Sequence, residues 1–301
     1  MPEEVRLCPL CGYDRSTLFD RREHLGRLVC NRLCSRCGLI FQSPRMTAAE
    51  AEAHYAAEYR RTIQGREGPT AKDLDFQRQR AARLVDFLRR KVRRLERCLD
   101  IGCSSGLLLQ RLRETYAAQA TGVEPGEAYR AYARECGLEV HASLDEVEAD
   151  GRRFDLISLI HVLEHLPDPV AYLTRLRERL LAADGWLLVE VPNVYIHTSF
   201  EYEHLYSFSR RTLTETLRKA GFRLAAVRLQ GRPISQCFPF YITVLARPLA
   251  GPPRPFRLRP ERGAARKRLL GTIFQIFVTQ RFPKRWWLLI DIDSYQDPTK
   301  V

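Results

Sequence analysis

The stretch Leu99-Asp100-Ile101-Gly102-Cys103-Ser104-Ser105-Gly106 joins an Arg-rich segment to a run of four leucines at positions 107–112. An apolar lead-in, an acidic residue and two glycines in this order predict a strand, a tight turn and the start of a helix. A turn of this kind holds an adenosine-containing cofactor against the edge of a sheet. A single Gly-rich turn is weak evidence, so the segments that follow decide what it binds.

A second short strand is predicted at residues 121–123, and it ends at Glu124 and Pro125. A carboxylate at this place accepts both hydrogen bonds of a ribose diol, in NAD-binding proteins and in methyl-donor-binding proteins alike. The first turn lacks the G-x-G-x-x-G spacing that admits a pyrophosphate. Asp100 precedes Gly102 by two positions, where it can face the amino-acid end of S-adenosylmethionine. The spacing therefore favours a methyl donor over a dinucleotide.

Four segments recur in a familiar order: LDIGCSSG (99–106), GVEP (122–125), FDLISLIHVLEHLPDP (154–169) and DGWLLVEVPN (184–193). Together they resemble class I S-adenosylmethionine-dependent methyltransferases, over roughly residues 80–245. The resemblance implies an α/β fold with a Rossmann-like seven-stranded sheet. Residues 223–229 and 241–246 match its final antiparallel pair of strands. Ser104 departs from the family pattern, which more often has glycine there.

The resemblance also implies a set of cofactor contacts at the ends of the strands. Ser143 and Leu144, at the exit of the predicted third strand, are expected beside the adenine. His161 and Leu163 belong to a loop that lies over the cofactor in the family. The remaining expected contacts lie in the two motifs described first: Asp100, Gly102, Cys103, Gly106, Glu124 and Pro125.

Two C-x-x-C pairs near the start of the chain predict a metal site. They are Cys8–Cys11 and Cys34–Cys37, and each is followed directly by a glycine. Two such pairs supply four thiolates to a closed tetrahedral Zn²⁺ site. A closed site leaves no open coordination position, so the zinc is expected to hold the fold. We therefore predict a zinc ribbon over residues 1–45.

This start resembles a subgroup of methyltransferases with an N-terminal zinc ribbon, many of which act on nucleotide-linked sugars or polysaccharide components. Glu203-His204 resembles the general-base pair of the sugar C-methyltransferases in that subgroup. Those enzymes carry a Tyr two positions before the Glu, whereas this chain has Glu201 there and Tyr202 next to it. His204 and Glu203 are therefore the candidate catalytic residues, and a purely structural role for His204 is the alternative.

The segment His161-Val162-Leu163-Glu164-His165 matches the H-x-x-E-H signature of some zinc proteases. That chemistry needs the motif inside a helix, but here it follows a strand and runs into Leu-Pro-Asp-Pro, which ends any helix. We therefore do not assign a catalytic zinc to this motif. Glu164 and His165 are expected to position the loop.

The net charge of +13 is confined to two segments. Residues 76–97 and 251–301 each carry a net charge of +7, and the rest of the chain is close to neutral. The first segment has a helical apolar stripe that includes Val92 and Leu95. The second combines Arg and Lys with apolar residues and Trp286-Trp287, a composition that suits a membrane surface.

The predicted organisation is a zinc ribbon (1–45), a helical linker (46–75), a methyltransferase domain (76–248) and a basic tail (249–301). No apolar run reaches the length of a membrane span, and nine cysteines without a secretory signal pattern predict reduced thiols and a cytoplasmic location. The favoured function is methyl transfer from S-adenosylmethionine to a small-molecule acceptor, with a nucleotide-linked sugar as one candidate. An rRNA or tRNA methyltransferase that binds RNA through its ribbon and basic segments is one alternative. A non-catalytic zinc-ribbon scaffold is the other.

Overall fold

The computed structural model describes residues 2–24, 26–47, 49–50, 68–197, 200–249 and 257–281. The N-terminal part contains three antiparallel strands, β1 (Ser16–His24), β2 (Arg27–Cys34) and β3 (Ile40–Gln42). The C-x-x-C pairs lie before β1 and at the β2–β3 connection. This arrangement matches the predicted ribbon. Of the predicted helical linker (46–75), residues 46, 47, 49, 50 and 68–75 are described, and Thr47 and Glu50 exchange hydrogen bonds of 2.8–3.2 Å.

The main sheet confirms the predicted seven-stranded, Rossmann-like architecture. Its strand order is β10-β11-β8-β7-β4-β5-β6, in which β11 is antiparallel to both neighbours and the other pairings are parallel. The central strand β7 is apolar almost throughout because helices cover both faces of the sheet. The strands are β4 (Arg97–Ile101), β5 (Gln119–Val123), β6 (Glu139–His141), β7 (Phe154–Ile160), β8 (Leu181–Pro192), β10 (Phe222–Gln230) and β11 (Tyr241–Pro248), while β9 (Tyr206–Ser207) belongs to the ribbon sheet.

Seven α-helices are described. Thr70 is the N-cap of the first helix, and its side chain forms a reciprocal capping box with that of Asp73. The helix ends at Arg89, so the prediction that its apolar stripe includes Val92 and Leu95 is wrong. Both residues are buried, but they lie between the helix and β4. The helices are α1 (Ala71–Arg89), α2 (Leu107–Tyr116), α3 (Glu127–Glu135), α4 (Leu144–Ala149), α5 (Pro169–Arg175), α6 (Arg210–Lys219) and α7 (Ala264–Arg281).

The ribbon and the main sheet share one hydrophobic core. Leu10, Leu39 and Phe41 of the ribbon belong to the same buried cluster as Leu99 and Ile157 of the sheet. The connection continues in the backbone, because β3 pairs with β9. The ribbon is therefore part of the wall that surrounds the segment before β9.

Arg45 reinforces this junction between the ribbon and the rest of the chain. It is 8% exposed, and its Nη1 donates to the carbonyl of Pro167 and to the hydroxyl of Tyr206, both at 3.0 Å. Tyr206 in turn donates to the Pro167 carbonyl at 2.8 Å. These bonds link β9 to the loop that follows the H-x-x-E-H segment.

Helix α7 exposes a set of large apolar side chains, each between 49% and 62% exposed: Leu269, Leu270, Ile273, Phe274, Ile276 and Phe277. Polar contacts join the helix to the loop after β8, where Arg268 donates to the carbonyls of Val194 and His197. Gln275 donates to the carbonyl of Ile196 at 2.9 Å. Among the described helices, none is long and apolar enough to cross a membrane.

Candidate active site

The predicted site residues meet at one edge of the main sheet. Strands β4, β5, β6, β7 and β8 are parallel, so their carboxyl ends lie on the same side. Ligands of open α/β sheets bind at this side, in the loops that follow the strands. The motif turn, Glu124, Ser143, the His161 loop and the segment leading to His204 follow these strands in that order. The topology thus brings together the residues that the sequence singled out.

The turn after β4 has the tight geometry that its glycines predict. Gly102, Ser104 and Gly106 have φ values of +71°, +52° and +74°. A Cβ on Gly106 would lie 2.2 Å from Leu138 Cδ1, so a side chain there meets both backbone strain and a steric clash. Ser104 adopts a left-handed conformation at the position where the resemblance predicts glycine more often.

Glu124 is held against this turn by backbone donors. Its Oε2 accepts from the Ser104 amide at 2.8 Å, and its Oε1 accepts from the Gly126 amide at 3.0 Å. Each carboxylate oxygen keeps a further lone pair, so the side chain retains capacity to accept from a ribose. The carboxylate therefore couples the two motifs physically, as well as standing at the predicted ribose position.

Asp100 lies one residue before the end of β4 and is 3% exposed. Its Oδ1 accepts from Ser158 Oγ on the neighbouring strand β7 at 2.6 Å. Burial raises the pKa of Asp100 to about 7, against the opposing effect of that hydrogen bond. Ser158 was not singled out from the sequence, although a hydroxyl within an apolar strand was the available signal. A cation bound beside Asp100 would therefore stabilise the ionised form of this buried carboxyl group.

The other predicted cofactor contacts lie at different depths. Cys103 lies in the turn and is buried. It packs closely on Gly122, because a Cβ added to that glycine would lie 2.6 Å from Cys103 Sγ. Ser143 is the N-cap residue of α4, and Leu144 is 7% exposed. Leu163 has no exposed surface and packs in the main core. It supports the loop in this structure, and its contact with a cofactor stays a prediction.

His161 begins the loop after β7 in a left-handed conformation, with φ of +57°. Its Nδ1 lies 3.3 Å from Glu164 Oε1, and its Nε2 lies 3.7 Å from Glu190 Oε1. Burial lowers the pKa of His161, but the two carboxylates outweigh burial and raise it overall. The ring also packs edge-on against Tyr241, 5.0 Å between ring centroids. Glu190 is a charged residue in an apolar strand, and this pattern was the available sequence signal for it.

His204 is 9% exposed and stands among other histidines. Its ring centroid lies 4.8 Å from that of His165 and 6.2 Å from that of His197. Burial lowers the pKa of His204 to about 4, so the ring is neutral at pH 7. Glu201 approaches the ring, with its Oε2 3.5 Å from His204 Nε2. Glu203, the expected partner, is 1% exposed and offers its backbone carbonyl to His165 Nδ1 at 2.9 Å.

The four ribbon cysteines fit a zinc ion. Their sulfurs lie within 4.8 Å of one another, with Cys8 Sγ 3.4 Å from Cys37 Sγ and Cys11 Sγ 3.6 Å from Cys34 Sγ. Zn–S bonds of about 2.3 Å in a tetrahedron place sulfurs about 3.8 Å apart, close to these separations. The backbone N–H groups of Cys37 and Leu39 donate to the sulfurs of Cys34 and Cys37, which favours thiolates there.

Comparison with known proteins places the chain in a family. The profile of a methyltransferase domain family matches residues 74–227, half of the chain. The chain belongs to that family. The matched region begins inside α1 and ends in β10, so it contains the turn, Glu124, the His161 loop and His204.

The curated relatives are similar over shorter segments. A ubiquinone biosynthesis O-methyltransferase of Neisseria meningitidis is 28% identical over 131 residues, which cover 38% of this chain and 52% of the relative. The enzyme of the same name from Dinoroseobacter shibae is 35% identical over 104 residues, 32% of this chain and 41% of the relative. The chain spans about half the length of the curated relatives it matches.

A solved structure supports the fold over a longer range. The 1,6-didemethyltoxoflavin-N1-methyltransferase of Burkholderia thailandensis, solved with its substrate and S-adenosylhomocysteine, covers 76% of this chain and 99% of its own length. The TM-score is 0.55 and the sequence identity 20%, a likeness that concerns the fold.

Proposed function

We propose that this protein transfers a methyl group from S-adenosylmethionine to a small-molecule acceptor, with a sugar as the preferred class. The observation that carries the proposal is topological: the Gly102–Gly106 turn, Glu124 and the segment that contains His204 all follow parallel strands at one edge of the sheet. The donor half of this arrangement fits S-adenosylmethionine by its chemistry. Glu124 offers acceptors to the ribose, and Asp100 offers a carboxylate to the cationic methionine end.

In the proposed reaction, the nucleophilic atom of the acceptor attacks the methyl carbon in line with the sulfur. The acceptor–carbon bond forms as the sulfur–carbon bond breaks, and S-adenosylhomocysteine leaves with the electron pair. The proton of the acceptor must go to a base. His204 is the candidate, since it is a neutral imidazole in the segment that follows β8. The enzyme's main contribution is to align donor and acceptor.

The zinc ribbon serves this site as a structural support. Zn²⁺ would be held by Cys8, Cys11, Cys34 and Cys37, and in such a closed site it stabilises the fold. Strand β3 connects the ribbon to the active site, because it pairs with β9, which begins two residues after His204. The backbone N–H of Gln42 also donates to the carbonyl of Leu205 at 2.9 Å. The position of His204 thus depends on the ribbon.

The small-molecule acceptor is supported by the names of the relatives, whose ubiquinone biosynthesis reactions are O-methylations. The site residues themselves belong to the near-neutral part of the chain, which argues against RNA as the acceptor. RNA remains a testable alternative, since bulk RNA that competes with the true acceptor and loses that effect at high salt would favour it.

The decisive test has a binding part and a turnover part. Calorimetry with S-adenosylhomocysteine is expected to show micromolar binding to the wild type and weaker binding to Asp100→Asn. A screen of nucleotide-sugars, small phenols and total RNA with labelled methyl donor then identifies the acceptor. His204→Ala is expected to lose at least 100-fold in turnover with donor affinity unchanged. Absence of donor binding in the wild type would favour a scaffold role and refute the proposal.

Membrane-surface contact by the C-terminal segment is also proposed, on the exposed apolar side chains of α7. Arg262, Arg266 and Arg281 flank these side chains, a combination suited to an anionic lipid surface. Flotation with anionic liposomes is expected to recover the full chain but not a chain that ends at residue 250. Equal partitioning of the two would contradict this contact. Residues 282–301, which include Trp286 and Trp287, lie outside the described residues.

A further inference from the structure

Asn31 is an amide side chain that is buried in the ribbon without a hydrogen-bond partner. It lies in β2 and is 1% exposed, and neither its Nδ2 nor its Oδ1 is hydrogen-bonded among the described residues. A primary amide offers two donor hydrogens and an acceptor oxygen, and burying them unpaired costs free energy. Val29 and Leu33, two positions away on the same face of the strand, are apolar. Packing of the ribbon by itself would therefore be met by an apolar side chain at this position.

Gln42 places a second amide on the same face. Strand β3 pairs with β2 so that Gln42 stands directly opposite Asn31, and residues opposite each other share a face of the sheet. Gln42 is also 1% exposed, and its Oε1 has no hydrogen-bond partner in the described part of the chain. Its Nε2 lies 3.5 Å from the carbonyl oxygen of Glu201, longer than an ordinary N–H···O bond. Three of the four polar atoms of this amide pair, Asn31 and Gln42, therefore lack a protein partner.

The amide pair faces the connection after β8. Leu33 and Ile40 lie opposite each other on the same face of the ribbon sheet. Both pack with Val194 and Phe200, which belong to that connection. The Nε2 contact of the amide pair continues this boundary to Glu201, three residues before the candidate base. This face of the ribbon therefore borders the segment from which the candidate base comes.

The same segment is fastened to the ribbon at two further points. The backbone N–H of Tyr202 donates to His24 Nδ1 at 3.2 Å. The rings of Phe19 and Phe200 meet edge-on, with 6.0 Å between their centroids. Both contacts come from β1, and β2 lies between β1 and β3 in the sheet. Contacts on both sides of β2 therefore hold the amide pair in a fixed position beside the segment.

The hydrogen-bonding capacity that remains on this face is uncharged. Asp20 stands opposite Asn31 on β1 and is the acidic member of the same row across three strands. Arg22 donates to both of its carboxylate oxygens, each at 2.7 Å. The charge of the row is therefore matched inside the ribbon, whereas the two amides are not. Uncharged groups that both donate and accept, above all hydroxyl groups, are the complement of such amides.

We propose that Asn31 and Gln42 bind hydroxyl groups of the methyl acceptor, so that the zinc ribbon forms one wall of the acceptor site. The proposal rests on the proposed methyl transfer and deepens it, because it names the acceptor as a compound with neighbouring hydroxyls, such as a sugar ring. Two adjacent hydroxyls match one amide, since one donates to the amide oxygen while the other accepts from the NH₂ group. A site built to hydrogen-bond hydroxyls rejects analogues that lack them. The ribbon then selects the acceptor in addition to holding the fold.

The first test needs no acceptor. Asn31→Leu and Gln42→Met approximately keep the size of each side chain and remove its polar atoms. Because most of these atoms have no partner in the fold, both full-length variants are expected to have urea unfolding midpoints at or above that of the wild type. A lower midpoint for both variants would show that the amides are satisfied inside the fold, for example by a buried water, and would overturn the proposal.

Acceptor binding is the second test. Calorimetry with S-adenosylhomocysteine bound uses free hexoses, UDP-linked hexoses and the 2-, 3- and 4-deoxy forms of both as probes. The wild type is expected to bind a hexose of one set and to lose at least about tenfold in affinity when one hydroxyl is missing, whereas Asn31→Leu loses less than about threefold. Binding of the UDP-linked set alone identifies a nucleotide-linked acceptor. Gln79→Met is the matched control, because Gln79 is an exposed amide of α1 that bonds to Asp75 at 2.8 Å, and it should behave as the wild type.

The outcomes separate this proposal from methyl transfer itself. A wild type that binds none of these hexoses, or an Asn31→Leu variant that still discriminates the deoxy forms as the wild type does, overturns the hydroxyl site. If that protein binds S-adenosylhomocysteine and methylates a small phenol, with loss of turnover in His204→Ala, methyl transfer stands with another acceptor class. A wild type that does not bind S-adenosylhomocysteine refutes the methyl-transfer proposal instead.

Discussion

Substitution of Asp100 by Asn is expected to change how stability depends on pH. Burial raises the pKa of Asp100 to about 7 in the folded chain, compared with its ordinary value of 3.8. Between these values the folded state keeps a proton that the unfolded state has released. Stability therefore falls as pH rises through this window and levels off above it. Asn cannot titrate, and its Oδ1 can still accept from Ser158.

The size of the effect follows from the two pKa values. Each unit of difference is worth about 1.36 kcal/mol, so the full window amounts to about 4 kcal/mol. Between pH 5 and pH 8 the wild type should lose about 2.5 kcal/mol of unfolding free energy relative to Asp100→Asn. Urea denaturation of both cofactor-free proteins across this range measures the difference directly. Other titrating groups are common to both proteins and cancel in the comparison.

The result that would refute this reasoning is a pair of parallel stability curves. Parallel curves would mean that Asp100 is ionised in the fold at pH 5, so that a neutralising partner already compensates it. A second reading comes from the donor, whose cationic end favours the ionised carboxyl. Its affinity is expected to rise from pH 5 to pH 8 in the wild type and to change far less in Asp100→Asn.

Three further substitutions probe the turn, the junction and the ribbon. Gly106→Ala should destabilise the fold by more than the ~1–2 kcal/mol cost of a left-handed residue, because its Cβ also meets Leu138 at 2.2 Å; thermal unfolding measures this. Arg45→Met should cost about 2 kcal/mol in urea denaturation, since the hydrogen bonds to Pro167 and Tyr206 are lost together with the ion pair to Glu3. Cys34→Ser should release the ribbon's zinc and lower kcat more than donor affinity, because β3 supports the strand after His204.

Each of these substitutions has a matched control in the chain. Gly137 has a similar φ of +73° but open space around its missing Cβ, so Gly137→Ala carries the backbone strain alone. Arg111 makes an exposed ion pair, and Arg111→Met should change stability by less than about 0.5 kcal/mol. Cys136 lies outside the cysteine cluster, so Cys136→Ser should keep the zinc. Equal effects of a substitution and its control would contradict the corresponding explanation.

Much of the donor side was predictable from the sequence. The Gly102–Gly106 turn and Glu124 are defined by neighbours in the chain, and local sterics and backbone hydrogen bonds determine their shape. The predicted helical stripe was wrong at Val92 and Leu95. Both residues are buried, but they lie beyond the helix end, in the segment that leads into β4. Burial alone does not distinguish a helical residue from one in such a segment.

The acceptor side was much less accessible to sequence reasoning. The H-x-x-E-H segment does lie outside an α-helix, in a single 3₁₀ turn at Leu163–His165, as its prolines predicted. The sequence did not show that Glu164 and His165 meet His204. Nor did it show that the Glu201 carboxylate is the one that approaches His204, while Glu203 offers its backbone carbonyl to His165.

The sequence by itself determined the motif turn, the two C-x-x-C pairs and the order of strands that place the chain among methyltransferases. These features depend on residues close together in the chain, whose conformations are limited by glycine geometry and apolar periodicity. Only the tertiary structure decided the grouping of Glu164, His165 and His204 and the support of β9 by the ribbon. Those arrangements depend on the packing of segments that are distant in the chain into one core, and local residue patterns do not specify that packing.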